Sequence, residues 1–226
     1  MEAWEDISHE DRDVWWQFSG QFRFSPSVHM FPGFAEPSPS VTYFIGHVYS
    51  DHYVRFVSDL STRMLAAFRR CVPPDGWLYV LDMQHPSYRF RPHAPFDHED
   101  ERNWPVPVLP NGDYYIFLAD DLRFGVIGHP WEQTMCIYGA ELLASIESSL
   151  PLLFDTVVRE DGQQVRALVH GIFDFEGNEV VQMNAVGPRG LPLAEFLRQL
   201  ETSGYDFPGG HATLFHVICT EDIENE

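Results

Sequence analysis

Residues 114–138 constrain this chain more than any other stretch. Residues 114–119 (YYIFLA), 122–127 (LRFGVI) and 133–138 (QTMCIY) are short apolar runs rich in β-branched and aromatic side chains, the composition of strands. The turn pair Asn111-Gly112 precedes the first, Asp120-Asp121 joins the first to the second, and Gly128-His129-Pro130 breaks the second from the third. Connections this short join antiparallel neighbours, because a parallel crossover needs a dozen residues or more. The chain is therefore expected to build a largely antiparallel sheet.

Helices punctuate the strands. In residues 51–71 the apolar positions Tyr53, Phe56, Val57, Leu60, Met64, Phe68 and Cys71 recur at intervals of three and four, a single stripe that predicts a helix lying on a sheet. Arg69 and Arg70 suit its C-terminal dipole, and Pro73-Pro74-Asp75-Gly76 stops it. A short helix is expected over residues 8–18, capped by Ser8 with Asp11 completing a capping box. Others are expected over 141–150 and from Pro192 to 203. Residues 22–39, rich in Pro, Ser and Phe, read as extended chain and turns. Further strands are read at 41–48, 77–83, 88–91, 165–175, 179–186 and 212–219, with a hairpin turn at Glu176-Gly177-Asn178 and a mobile acidic tail, EDIENE. No internal repeat of fixed period is present. The expected class is α+β, a largely antiparallel sheet with amphipathic helices packed against it. A domain of residues 1–150 carries a β-β-α-β extension, 151–226, on the same core.

Charge narrows the function classes. Among 226 residues, 34 are acidic and 14 basic, a net charge of −20. All fourteen cations are arginine, which fits a GC-rich genome. A field this negative repels phosphate, which argues against nucleic acid and against anionic membrane surfaces. It is compatible with a basic protein partner, with a metal ion, or with solubility alone. Three cysteines, Cys71, Cys136 and Cys219, sit in apolar runs and are too few for a disulfide framework, so they read as buried free thiols in a reducing compartment. The acidic N-terminus lacks the pattern of a signal peptide, and no apolar run reaches the ~20 residues that span a bilayer. A cytoplasmic protein is expected.

Two imidazole–carboxylate pairs are the strongest candidates for chemistry. Asp82 and His85 close one strand in DMQHPS; His129 and Glu132 follow another in GHPWEQ. Were those strands neighbours, the four side chains could converge to hold Zn²⁺ or to exchange protons. The same pairs also read as strand-ending His-Pro turns whose imidazoles bond nearby backbone, with Trp131 packed beneath. A second cluster, His93, Asp97, His98, Glu99, Asp100 and Glu101, reads as a solvated acidic loop and as a surface for a basic partner. No GxSxG, HExxH, Walker sequence or GxGxxG is present, and no cofactor or bound metal is expected.

The segments FRFSPS, PSVTYF, WLYVLDMQHPSYRF, WPVPVLPNGDYYIFLADDLRFG and GHPWEQTMCIYGAELL resemble an uncharacterised bacterial family, domain of unknown function 2716, over roughly residues 15–150. That resemblance implies relatives and no activity. The order NGDYYIFL, LRFGVIG, TMCIYG and an amphipathic helix is similar to the latter half of the SMI1/KNR4 superfamily, many of whose bacterial members are immunity proteins that neutralise toxins. This second likeness implies binding. The leading expectation is a non-enzymatic, immunity-like protein that engages a basic protein such as a toxin through Asp97, Glu99, Asp100 and Glu101, with Trp131 a further contact candidate. The alternative is a metal-dependent or acid–base hydrolase built on Asp82, His85, His129 and Glu132.

Overall fold

The computed structural model describes residues 2–28, 30–49, 52–175 and 179–220. Among these residues, two antiparallel sheets and four α-helices make up an α+β fold. The elements run β1 (Trp4–Asp6), α1 (Asp11–Phe22), β2 (Ser40–Phe44), α2 (Tyr53–Cys71), β3 (Leu78–Asp82), β4 (Tyr88–Phe90), β5 (Tyr115–Ala119), β6 (Gly125–His129), β7 (Thr134–Tyr138), α3 (Ala140–Glu147) and β8 (Thr156–Glu160). They continue through β9 (Gln163–Gln164), β10 (Arg166–Phe175), β11 (Glu179–Arg189), α4 (Leu193–Thr202), β12 (Tyr205–Phe207) and β13 (Gly210–Thr220).

The larger sheet has the order β1-β4-β3-β5-β6-β7-β2-β8-β9. Its register runs level across the centre: Asp82 faces Tyr115, Tyr115 faces Gly128, Gly128 faces Met135 and Met135 faces Tyr43. Every residue of β5, β6 and β7 is buried because both faces are covered. On one face, Val57, Leu60, Met64 and Phe68 of α2 and Leu142 and Ile146 of α3 pack on Leu78, Val80, Phe117, Val126 and Ile137. On the other, Val14, Phe18 and Phe22 of α1 pack on Leu81, Ile116, Leu118, Ile127 and Cys136. The period-2 alternation of the strands divides their side chains between these layers.

Several local expectations change. Ser8 does not cap α1: its amide and hydroxyl both bond the Asp6 carboxylate. Asp11 accepts instead from the Ser87 hydroxyl, and the helix runs from residue 11 to 22. Phe56 on α2 is only half-buried, whereas Leu60 and Met64 are fully enclosed. Of the cysteines, Cys136 is buried and Cys71 and Cys219 are half-buried, all three as free thiols. Asp51, the turn at residues 176–178 and the tail 221–226 lie outside the described residues, although β10 and β11 pair up to Phe175 and Glu179.

The last third divides between the two sheets. β8 and β9 extend the larger sheet beside β2. The remaining strands form the smaller sheet, in the order β11-β10-β13-β12. One of its faces is covered by Phe196 and Leu200 of α4, packed on Ala167, Val169, Phe173 and Ala185. The other meets the larger sheet through Leu168 and Val186, which pack on Val158 and Phe44. No helix among the described residues is long and apolar enough to cross a membrane.

Candidate functional site

Polar side chains collect where the two sheets meet, around the turn that joins β6 to β7. His129 ends β6, Gln133 takes a left-handed conformation (φ 57°), and Thr134 opens β7. Glu132 is thereby pointed inward and is fully buried. Its two carboxylate oxygens accept from Arg159 of β8 at 2.6 and 3.0 Å, and the Thr134 hydroxyl donates to it at 2.5 Å. The Arg159 Nε donates to Glu36 at 2.7 Å, and Thr42 donates to the same oxygen. Arg159 and Glu36 are 4% and 2% exposed, so one guanidinium holds two carboxylates in the interior. The hydroxyls of Thr42 and Thr134 add donors to the two carboxylates, as buried charge requires. Cys136 nearby is pushed far above the ordinary thiol range by burial and by the Glu36 charge.

His129 lies beside this triad and is completely buried. Its Nδ1 accepts from the Glu132 backbone amide at 3.1 Å. In the neutral ring the other nitrogen is then the donor, so Nε2–H donates to the Tyr114 oxygen, 2.8 Å away. Burial pulls its pKa down to about 4; it also pushes the Tyr114 hydroxyl up to about 12. Neither group exchanges protons readily near neutrality. Trp131 is half-buried, edge-on to Tyr114 and His129. Its carbonyl accepts from the Asn184 side chain at 2.9 Å, and that amide also reaches Gln133. His170 completes the layer, bonded to Asn184 and Gln182, with Phe31 edge-on to both His129 and His170.

Asp82 and His85 form their own pair, Oδ1 to Nδ1 at 3.1 Å. They do not join His129 and Glu132. β3 and β6 are not neighbours, because β5 lies between them, and strand spacings of about 4.8 Å put the two strands roughly 10 Å apart. Alternation also places Asp82 in the layer of Leu78 and Val80, while His129 lies against Tyr114 in the opposite one. The expected quartet is therefore split: Asp82 pairs with His85, whereas the His129 ring bonds the Glu132 backbone amide and the Glu132 carboxylate is held by Arg159. The side chain that does join Asp82 and His85 is Asp113: one ligand atom from each of the three lies within 4.8 Å of the others. In the sequence Asp113 stands between the turn pair Asn111-Gly112 and the apolar run that begins at Tyr114. Its partnership across the β3–β5 pair has no local signal.

The acidic loop is ordered by its own contacts. Trp104, buried, donates its indole N–H to the His98 carbonyl, and Asn103 donates to that of Asp97. The Asp100 carboxylate is bound by Arg102 at 2.6 to 3.1 Å, which holds its pKa at about 2. Asp100 is thus committed to an internal ion pair. Asp97, Glu99 and Glu101 are exposed on the same ledge. His93 is turned away from it, bonded to the Val72 carbonyl. Beside the ledge a shallow groove is lined by Tyr53, Val57, Trp104, Pro107 and Leu109, with Glu101 at its lip. The larger clefts lie elsewhere. One of about 580 Å³ is lined by Glu10, Asp13, Tyr79 and Arg89. Another, of about 470 Å³, opens between the sheets at Phe44, His47, Arg166 and Tyr205.

Comparison with known proteins places these features in a family. The family described as "Protein of unknown function (DUF2716)" matches residues 6–143. The "Uncharacterized protein YxiI" of Bacillus subtilis (strain 168) is 32% identical over 163 residues, covering 68% of this chain and 98% of that protein. No solved structure matches. The matched residues hold Glu36, Asp82, His85, Asp113, His129 and Glu132, whereas Arg159, which pairs with two of them, lies beyond residue 143.

Proposed function

The chain belongs to the DUF2716 family of proteins of unknown function, and for this member we propose a binding role: it engages a cationic segment of another protein along the ledge of residues 97–101. The observation that carries this reading is how the ledge is built. Asp97, Glu99 and Glu101 are exposed, while the loop backbone is tied to the core by Trp104 and cross-linked within itself by Asn103. A braced loop presents its charges at little cost in ordering entropy on binding. The groove beside it is small, about 30 Å³, so an arginine-bearing segment would be recognised chiefly through charge. The net charge of −20 extends the attraction beyond contact range. A toxin, the partner implied by the likeness to immunity proteins, is one protein of this chemistry.

Association kinetics with an arginine-rich peptide of about ten residues tests the reading. The rate should fall steeply with salt, since the Debye length shrinks from ~10 Å at 0.1 M to ~3 Å at 1 M. Asp97→Asn, Glu99→Gln and Glu101→Gln together should slow association about tenfold at low salt, within what steering supplies. Neutralising the exposed Glu2, Asp75 and Glu201 removes equal charge and should slow it much less. Equal slowing by the two triple variants would mean the whole field acts and the ledge does not.

A further inference from the structure

The geometry points to a divalent-cation site at the end of β3, in which Asp82, His85 and Asp113 bind a first-row transition-metal dication independently of the acidic ledge. Four observations converge there. One imidazole and two carboxylates each place a ligand atom within 4.8 Å of the others. Both carboxylates are buried, Asp82 at 5% and Asp113 at 2% exposure. Among the described residues no arginine pairs with either, in contrast to the triad at Arg159. The Asp113 Oδ2 is buried with no hydrogen bond of ordinary geometry, although the Gln84 side-chain amide lies nearby. A buried carboxylate oxygen without a donor, facing a second carboxylate, is costly, and a dication removes that cost.

The ligand orientations are already set on two sides. The Tyr114 backbone amide donates to the Asp113 Oδ1 at 2.8 Å, and the Gln84 backbone amide donates to the Asp82 Oδ1 at 3.2 Å. Such outer bonds fix a ligand's direction. The third ligand, His85, is on the exposed turn of residues 84–86, its side chain 67% exposed. Bonds near 2.0–2.2 Å to a central ion need the ligand atoms closer together than 4.8 Å, and this turn can close the difference. Mixed nitrogen and oxygen donors favour Zn²⁺, Co²⁺ or Mn²⁺ over Mg²⁺ and Ca²⁺, which prefer oxygen alone. Three protein ligands leave positions for water.

Calorimetric titration of the full chain with Zn²⁺, after chelator treatment and removal of the chelator, should give one site per chain. Co²⁺ should give visible absorption bands from the same site. Asp113→Asn and Asp82→Asn should each weaken Zn²⁺ binding by roughly tenfold or more, at least what loss of an outer partner costs elsewhere. His85→Ala, a change on an exposed turn that leaves folding intact, should weaken it likewise and alter the Co²⁺ bands. His129→Asn should leave Zn²⁺ affinity unchanged. Absence of stoichiometric Zn²⁺ binding, or binding indifferent to His85→Ala, overturns the site. So does binding that His129→Asn weakens as much as His85→Ala.

Discussion

Arg159 is the side chain on which the interior most depends, because it is the counter-ion of two buried carboxylates. Arg159→Met should destabilise the protein by about 3–5 kcal/mol, the usual cost of leaving buried charge uncompensated. Adding Glu36→Gln and Glu132→Gln to that variant should recover most of the loss, since no isolated charge then remains. Urea midpoints of the single and triple variants decide this; equal losses would show that packing, not charge, is what Arg159 supplies. His129 gives a pH signature of definite sign. Its folded pKa is depressed from 6.5 to about 4 by burial, so between those values the unfolded chain binds the proton that the native ring refuses. Stability from this group is full above pH 6.5 and falls as pH drops toward 4, by about 3 kcal/mol in all. The difference in unfolding free energy between the wild type and His129→Asn should change by that amount over the window. A flat difference would mean that the imidazole is hydrated.

At the scale of elements, α2 is the anchor of one face. Leu60→Ala should cost about 2–5 kcal/mol, because Leu60 is wholly enclosed against the sheet; an unchanged urea midpoint would contradict that packing. α2 is also the element most legible in the sequence, since its stripe is an unbroken local pattern over five turns. β5 and β7 are legible for the same reason, being apolar runs closed by turn residues. The second strand of that run is displaced: Leu122 belongs to the turn at φ 61°, and β6 covers 125–129 rather than 122–127. β8 has no such signal. It holds Arg159 buried beside β2, and the groups that make that position tolerable are 27 and 123 residues away. The candidate site is readable as two imidazole–carboxylate pairs, because both are local in sequence. Their division between two faces, and the entry of Asp113, depend on β5 lying between β3 and β6, which no local pattern encodes.

At the scale of the whole molecule, the family-matched part and the first strands C-terminal to it share one interior. A chain ending at Leu150 loses Arg159 and leaves an edge of β2 open, so it should fail to give the near-ultraviolet circular dichroism of packed aromatic side chains. A chain ending at Gln164 keeps β8, β9 and the triad, and should regain that signal at reduced stability, because Val158 and Phe44 lose Leu168 and Val186. If the shorter chain folds as well as the longer, residues 151–164 are an addition and not part of the core. The surface field is the other property of the whole, and the proposed binding role rests on its being focused at one ledge. Titration of the isotopically labelled protein with the arginine-rich peptide, monitored by amide chemical shifts, tests this most directly. The predicted result is shifts concentrated at residues 97–104 and along the groove at Tyr53, Val57 and Leu109, fading as salt is raised. Shifts spread evenly over the acidic surface, including Glu5 to Asp13, or the absence of shifts at low salt, would contradict it.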